Sequence, residues 1–251
     1  MGRRPQEGGD ETGGVESLEA QPAQVRPLLS LSAPADALYV YYALHHDPQR
    51  TRLYVHTGAA GRADGFVAVC QTGQRLFQPT VILRTPSAHA AVELLRQALV
   101  PGRPYYLITT PDLRDAVAEV ATIEQPQQNW LFTLDLARFE PQINVLVVAE
   151  QGLYGLPRFV IRSGGEIAAE AGINWHSPHF AELAVATRPA AQGRGWGRAV
   201  VSACTQWVVQ SGRRPLYVAE EHNTASMALA DAVGYVDTGV REYAGDAICR
   251  L

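Results

Sequence analysis

Short apolar or alternating runs, separated by Gly and Pro, recur through the first half of the chain. Such runs predict strands, because successive side chains of a strand point to opposite faces. Apolar residues at helical spacing predict two helices, over residues 87–99 and 111–120. The strands predicted around these helices cover residues 37–44, 51–57, 65–70, 79–83, 105–109 and 130–134.

The second half repeats this order of strands, helix, strand, helix and strand. Its first four strands are expected to be antiparallel neighbours, because only short turns connect them. The predicted strands cover residues 144–149, 159–162, 166–174, 180–187, 216–219 and 235–243, and the helices cover 196–210 and 223–233. The fold class predicted is α/β, of the α+β type with a mixed sheet.

The repeated order suggests a duplicated α/β unit, with a boundary near Phe139-Glu140-Pro141. Residues 26–139 would form an N-terminal lobe and residues 140–251 a C-terminal lobe. Residues 1–25 are expected to be a disordered tail, because their start is rich in Gly and charge and has the apolar core of neither a signal peptide nor an anchor.

Composition narrows the class of protein. At 251 residues, 47% hydrophobic and 18% charged, the chain is typical of a globular protein with one large core or two small ones. No apolar run approaches the roughly 20 residues of a membrane span. The scattered Cys70, Cys204 and Cys249 have neither metal-ligand spacing nor a disulfide framework, which favours a reducing cytoplasm. A net charge of −4 gives nucleic-acid binding no support, whereas a cationic amine would be mildly attracted.

A glycine-rich turn precedes the helix predicted at 196–210. Gly193, Gly195 and Gly197 alternate with other residues, and Arg194 and Arg198 flank them. Their backbone amides can close around an anion, and the helix N-terminus adds partial positive charge. The turn therefore predicts a phosphate cradle for a pyrophosphate-bearing cofactor. A dinucleotide site needs a different glycine spacing, and a P-loop or a pyridoxal site needs a lysine, whereas all 21 basic residues are Arg.

What remains is the pattern Q-x-x-G-x-G, from Gln192 to Gly197. It resembles the acyl-CoA-binding motif of the Gcn5-related N-acetyltransferase (GNAT) superfamily. The segment 185–189 resembles the end of the family's fourth strand, 213–218 its fifth strand, and 223–235 the following helix with its Gly-aromatic ending. Together the ordered motifs cover residues 182–243.

The resemblance implies a GNAT fold in the C-terminal lobe and acetyl-CoA as the cofactor. For Asn223 the resemblance implies a contact to the cofactor. Asn is also a favoured N-cap residue, and the two interpretations are compatible. By resemblance, cofactor-binding main-chain groups come from Val185, Ala186 and Thr187, the pyrophosphate contacts from Gln192, Gly193, Arg194, Gly195, Trp196, Gly197 and Arg198, and further contacts from Asn223 and Ser226.

By the same resemblance, Glu182 is the expected catalytic base, and its burial in an apolar strand would raise its pKa toward a useful range. His176 and His179 are second candidates. Many relatives place a Tyr seven residues after the Asn as the general acid, but position 230 here is Ala. Ser226, a water molecule, Tyr235 or Tyr243 could replace it. Cys204 is interpreted as a core residue rather than a nucleophile.

These observations predict an acyltransferase that transfers an acetyl group to a primary amine, on a small molecule or a peptide, by direct attack in a ternary complex. A non-catalytic acyl-CoA sensor and an amino-acid N-acyltransferase that uses other acyl-CoAs are the alternatives, and a homodimer is left open. Between Val81 and Leu94 the turn Arg84-Thr-Pro-Ser-Ala-His89 contains no glycine. The N-terminal lobe is therefore expected to bind no cofactor and to close the acceptor side of the cleft.

Overall fold

The computed structural model describes residues 20–75, 77–152 and 155–250. The described strands are β1 Thr51–Thr57, β2 Ala63–Cys70, β3 Thr80–Arg84, β4 Pro104–Thr109, β5 Ala121–Leu134, β6 Val148–Gln151, β7 Pro157–Ser163, β8 Glu166–His176, β9 Phe180–Thr187, β10 Arg214–Glu220 and β11 Tyr235–Cys249. The described helices are α1 Ala20–Val25, α2 Ala37–Val40, α3 Ala88–Ala98, α4 Arg114–Val120, α5 Trp196–Gln210 and α6 Thr224–Val233.

The described strands form one mixed sheet, in the order β1-β2-β3-β4-β11-β5-β10-β9-β8-β7-β6. At one end β1, β2 and β3 are antiparallel and β4 runs parallel to β3. At the other end β6 to β9 are antiparallel and β10 runs parallel to β9. The predicted mixed sheet and the antiparallel order of the second half are confirmed.

The two longest strands cross between the lobes at the centre of the sheet. β5, from the first half of the chain, pairs with β10, and β11, from the second half, pairs with β4. β5 and β11 are also antiparallel to each other, from Tyr235↔Leu134 to Cys249↔Ala121. Each lobe is thus completed by a strand from the other, and a cut at the predicted boundary would separate β5 from β10 and β11.

Helices cover both faces of the sheet. Helices α3 and α4 pack on one face of the first lobe, and α5 and α6 pack on the same face of the second. Helices α1 and α2 pack on the opposite face, in a core that reaches from Phe66 on β2 to Phe180 on β9. Because the core on this opposite face spans both lobes, helices α1 and α2 hold the lobes together.

The predicted strand at 37–44 is wrong. Residues Ala37–Val40 are α-helical, and the helix continues with a wider turn over Tyr41–His45. Leu38, Tyr39, Val40 and Tyr42 are all buried, so the segment packs on several sides. An apolar run of this kind resembles a buried strand and a buried helix equally, and tertiary packing decides between them.

Several boundaries also differ from those predicted, and the last strand runs to Cys249 and not to residue 243. The last strand of the first half begins at Ala121 and not at residue 130, because polar residues around Pro126 conceal its start. The strand predicted at 144–149 is found at Val148–Gln151. Of the predicted disordered tail, residues 1–19 lie outside the described residues, whereas Ala20–Val25 is helical and Val25 is fully buried.

Candidate active site

The parallel pair β9 and β10 separates partway along its length. Its register runs from Phe180↔Arg214 to Leu183↔Tyr217 and stops there. Beyond this point β9 remains paired with β8 as far as Thr187, while β10 remains paired with β5 as far as Glu220. A V-shaped gap therefore opens between two strands that are each held from their outer side.

The backbone of β9 faces this gap at alternate residues. The Arg188 N–H donates to the Ala168 carbonyl in the β8 direction, at 2.9 Å. Because backbone groups of successive strand residues point to opposite sides, those of Thr187 and Val185 point into the gap. An extended amide chain placed in the gap could pair with them as an additional strand does. The Ala186 backbone points toward β8.

A cavity of about 440 Å³ occupies the gap and extends to the helix N-termini. It brings together ten of the predicted cofactor-binding residues and leaves out two, Ala186 and Arg194. The guanidinium of Arg194 instead lies 5.0 Å from the ring centroid of Trp196. The lining residues are Val185, Thr187, Ala191, Gln192, Gly193, Gly195, Trp196, Gly197, Arg198, Tyr217, Asn223, Ala225, Ser226 and Leu229.

The glycine turn has the geometry of an anion cradle. Gly193 and Gly195 have φ of +75° and +73°, which favours glycine, and the space that a Cβ would fill is open at both. Gly195 is the N-cap of α5 and supplies no side chain to its first N–H groups. At Gly197 a Cβ would lie 2.9 Å from Thr187 Oγ1, so this glycine lets α5 approach β9.

The residues of the cavity fit a CoA thioester. Thr187 Oγ1 is buried and has no hydrogen-bond partner among the described residues, so it remains available to a ligand. The strand edge, the open glycine turn and the N-terminus of α5 follow one another along the cavity. These groups match in order an amide-containing arm and a pyrophosphate.

Asn223 caps α6, as its N-cap interpretation predicts. Its side-chain oxygen accepts a hydrogen bond from the Ser226 N–H at 3.0 Å. The Ser226 hydroxyl lies 2.8 Å from the Tyr217 hydroxyl. Burial raises the pKa of Tyr217, so this phenol stays protonated at neutral pH. Sequence reasoning missed Tyr217 as a functional residue, although it falls within the predicted strand at 216–219.

Glu182 lies on the other face of β9, where neighbouring side chains enclose its carboxylate although the residue keeps some solvent exposure. A bulge in β8 skips Asn174, so that Asn174 and Trp175 both reach this carboxylate. Asn174 Nδ2 donates to Oε1 at 2.6 Å and Trp175 Nε1 donates to Oε2 at 2.8 Å. Burial raises the pKa of Glu182 above its ordinary value, and the two hydrogen bonds oppose that rise. The rise in the pKa of Glu182 has the direction that the sequence predicts for a carboxyl removed from water.

A second buried carboxyl, Glu242, was missed from the sequence. It lies on β11, is 8% exposed, and accepts a hydrogen bond from Asn129 of β5. Burial, and secondly the charge of Glu182, raise the pKa of Glu242 to about 8. Only the exchange of β5 and β11 brings Glu242 near Glu182, and the sequence carries no signal for that exchange.

The other titratable candidates are placed less favourably. His176 and His179 lie near His45 of the first lobe, and burial lowers the pKa of His176 and of His45. The Tyr235 hydroxyl is bonded to Thr205, outside the cavity. Cys204 is fully buried and burial raises the pKa of its thiol to about 12, which agrees with a core role.

A second cavity, of about 510 Å³, adjoins the first and shares Val185 with it. Its floor contains Gly172, Ala184 and Ala186, and Arg158 and Glu170 also line it. Ala184 and Ala186 alternate with Val185 and so share a face of β9 with Glu182. The face of β9 that carries Glu182 therefore has room for a second ligand farther along the strand.

Within residues 20–75, 77–152 and 155–250, no group of three or more His, Cys, Asp or Glu side chains is arranged to hold a metal ion. Across the same ranges, no helix has both the length and the apolar character that crossing a membrane requires.

One family model matches the stretch of chain from β5 to the start of β11. Residues 123–235 match the model of the acetyltransferase (GNAT) family. The match begins within β5 and ends at the first residue of β11, so it includes both strands that form the gap. None of the curated proteins compared with the chain matches it significantly.

Solved structures share the fold over most of the chain. A GNAT-family protein from Novosphingobium aromaticivorans is 15% identical, with a TM-score of 0.61, over 87% of this chain and 100% of its own. A GCN5-related N-acetyltransferase from Kribbella flavida is 15% identical, with a TM-score of 0.59, over 86% and 96%. A tandem GNAT protein from the clavulanic acid biosynthesis pathway is 15% identical, with a TM-score of 0.55, over 92% and 95%. The chain thus has the GNAT fold, and its residues 123–235 match the model of the acetyltransferase (GNAT) family.

Proposed function

We propose that this protein transfers an acyl group, most simply acetyl, from CoA to a primary amine by direct attack in a ternary complex. The observation that carries the proposal is the gap between β9 and β10. It opens beside the glycine turn on one side and beside the face of Glu182 on the other. A donor and an acceptor can therefore meet at one strand from opposite faces.

The binding roles follow from the cavity. Val185 and Thr187 would pair with the amide arm through their backbone groups, and the Thr187 hydroxyl would gain a partner. Gly193, Gly195 and the N-terminus of α5 would hold the pyrophosphate through N–H groups. When bound, acetyl-CoA supplies a thioester carbonyl that is activated toward amines.

Two side chains would move the protons. Glu182, ionised, would take a proton from the acceptor ammonium, directly or through water, so that the free amine can attack the carbonyl carbon. The Tyr217 hydroxyl would donate a proton to the departing thiolate sulfur, and Ser226 would orient that hydroxyl. The carbon–nitrogen bond forms and the carbon–sulfur bond breaks. The second proton that the nitrogen loses would return to Tyr217 through water, and the proton on Glu182 would leave to solvent, so the products are an amide and a free thiol.

The test is the release of free thiol from acetyl-CoA in the presence of a panel of primary amines. Formation of the acylated amine, detected by mass spectrometry, supports the proposal. Tight CoA binding without thiol release for any amine would favour the sensor instead. Propionyl-CoA and benzoyl-CoA, tested in parallel with amino-acid acceptors, separate the acetyltransferase from an amino-acid N-acyltransferase.

A further inference from the structure

The segment between β2 and β3 reaches from the first lobe to Asn174, a hydrogen-bond partner of Glu182 in the second. Gln74 in this segment donates from Nε2 to Asn174 Oδ1 at 2.5 Å. Asn174 in turn donates to Glu182 at 2.6 Å. Gln74 and Asn174 are 100 positions apart in the chain. The contact therefore exists only when the lobes are assembled.

The direction of both hydrogen bonds is fixed by chemistry. A carboxylate only accepts, so Asn174 must present its NH₂ group to ionised Glu182. Its oxygen then points away and needs a donor, which Gln74 supplies. Without Gln74, the Asn174 amide can rotate, and its NH₂ group is no longer held toward Glu182.

Neighbouring contacts hold the segment in place. Arg75 forms an ion pair with Asp246 of β11 at 2.5 Å, and its guanidinium lies 4.2 Å from the Tyr106 ring centroid. Gln78 donates to the same Asp246 at 2.9 Å and to the Tyr105 carbonyl at 3.1 Å. The position of Gln74 is thus set by the exchanged strand β11 and by β4.

We propose that Gln74 is a positioning residue of the first lobe, which acts through Asn174 to orient and ionise Glu182. The inference rests on the proposed function of Glu182 as base. It gives the first lobe a role at the site, since the hydrogen bonds that orient the Glu182 carboxylate are complete only when this lobe packs against the second. Gln74 itself is exposed, so its replacement leaves the core intact.

Other titratable groups near Glu182 stay the same in the test. Glu242 of β11 and Tyr42 of the turn after α2 both interact electrostatically with Glu182. Tyr41 stacks on Trp175, the second donor to Glu182. Replacing Gln74 changes none of these groups, so a change in the titration of Glu182 reports on the relay through Asn174.

The experiment is a double-mutant cycle on the full-length chain, with Gln74→Met, Asn174→Ala and the combination. The titration of Glu182 is followed by ¹³C NMR of labelled glutamate carboxyls, and Glu182→Gln assigns the signal. Losing a donor to the ionised form raises the pKa, so Gln74→Met should shift it upward by about half a unit. In the Asn174→Ala background the same change should have no further effect. Gln71→Met, exposed in the same segment, is the matched control.

Additive effects of the two substitutions, or an unchanged titration in Gln74→Met, would overturn the inference. In activity assays the acidic limb of kcat/KM should move to higher pH in step with the NMR value. If Glu182→Gln leaves the pH profile unchanged, the base assignment fails, while the NMR cycle still decides whether Gln74 acts on Glu182.

Discussion

The Tyr217 hydroxyl lies 2.8 Å from Ser226 Oγ, and both residues line the cavity between β9 and α6. At position 230, where the family resemblance predicts a Tyr, the side chain is a fully buried Ala. A phenol from the strand therefore stands in the cavity where the helix provides none. Its raised pKa keeps the proton available for a thiolate.

We expect Tyr217→Phe to lower kcat by about 10- to 100-fold while the KM for the acyl donor changes little, because a proton donor is lost and the packing is kept. Steady-state kinetics at saturating amine measure both constants. The control is Tyr235→Phe. Its ring lies 5.5 Å from that of Tyr217, and its hydroxyl bonds Thr205 outside the cavity. It should lose about 1 kcal/mol of stability and no activity. Equal kcat values in wild type and Tyr217→Phe would remove the acid role.

Gly195→Asp should abolish CoA binding without unfolding the protein. Asp tolerates a left-handed backbone better than most residues, and a Cβ at Gly195 meets no atom within 4 Å. The new carboxylate would instead project toward the pyrophosphate and repel it. Calorimetric titration with CoA measures the affinity. Gly164→Asp, also at an open position with φ of +61°, controls for backbone strain. Retained CoA affinity in folded Gly195→Asp would contradict the cradle.

Glu182→Gln should lower turnover by roughly 10²- to 10⁴-fold and remove the acidic limb of the pH–rate profile. On the proposed role of Glu182, only its ionised form can accept a proton, so activity in the wild type should fall as the pH drops through the raised pKa of Glu182. CoA affinity should be nearly unchanged, because Glu182 lies on the face of β9 away from the cofactor cavity. If the limb persists, His176 or His179 becomes the better candidate.

Glu242→Gln should stabilise the protein at high pH. The folded-state pKa of Glu242 is raised to about 8, so between its ordinary value of 4.5 and about 8 the folded state holds a proton that the unfolded state has lost. Stability contributed by this group is present below pH 4.5 and is lost as the pH rises to about 8. Gln removes this loss.

Thermal unfolding at pH 5 and pH 9 measures the difference. The Tm of Glu242→Gln should exceed that of the wild type by several degrees at pH 9 and match it more closely at pH 5. Glu119→Gln, exposed on α4, should show no such dependence. A Tm difference that does not vary with pH would mean that Glu242 is not buried as a neutral acid.

The sequence predicted the local parts of the site and missed those that depend on distant contacts. The turn from Gln192 to Gly197 could be identified because anion binding by N–H groups requires glycine at particular positions in the chain. The partners of Glu182 could not, since Gln74 lies 108 positions before it and only sheet assembly joins them. Likewise, the polar start of β5 is a strand because β11, from the other end of the chain, pairs with it from Ala121 to Gln128.

The N-terminal lobe should bind no CoA, so that each chain binds one. At the position equivalent to the gap, the Thr109 hydroxyl donates to the Leu83 carbonyl at 2.9 Å and ties β4 to β3. The start of α3 is also occupied, because Ser87 Oγ accepts from the Ala90 N–H at 3.3 Å and Pro86 has no N–H to offer. The first lobe therefore offers neither an open strand edge to the amide arm of CoA nor a free helix N-terminus to its pyrophosphate.

Isothermal titration of the full-length protein with CoA measures this stoichiometry. One site per chain is expected, and Gly195→Asp should reduce it to zero, since the first lobe provides no second site. A residual site in that variant, or two sites in the wild type, would refute the division of labour between the lobes. A fragment starting near Pro141 cannot replace this experiment, because it lacks β5 and leaves β10 and β11 without their shared partner.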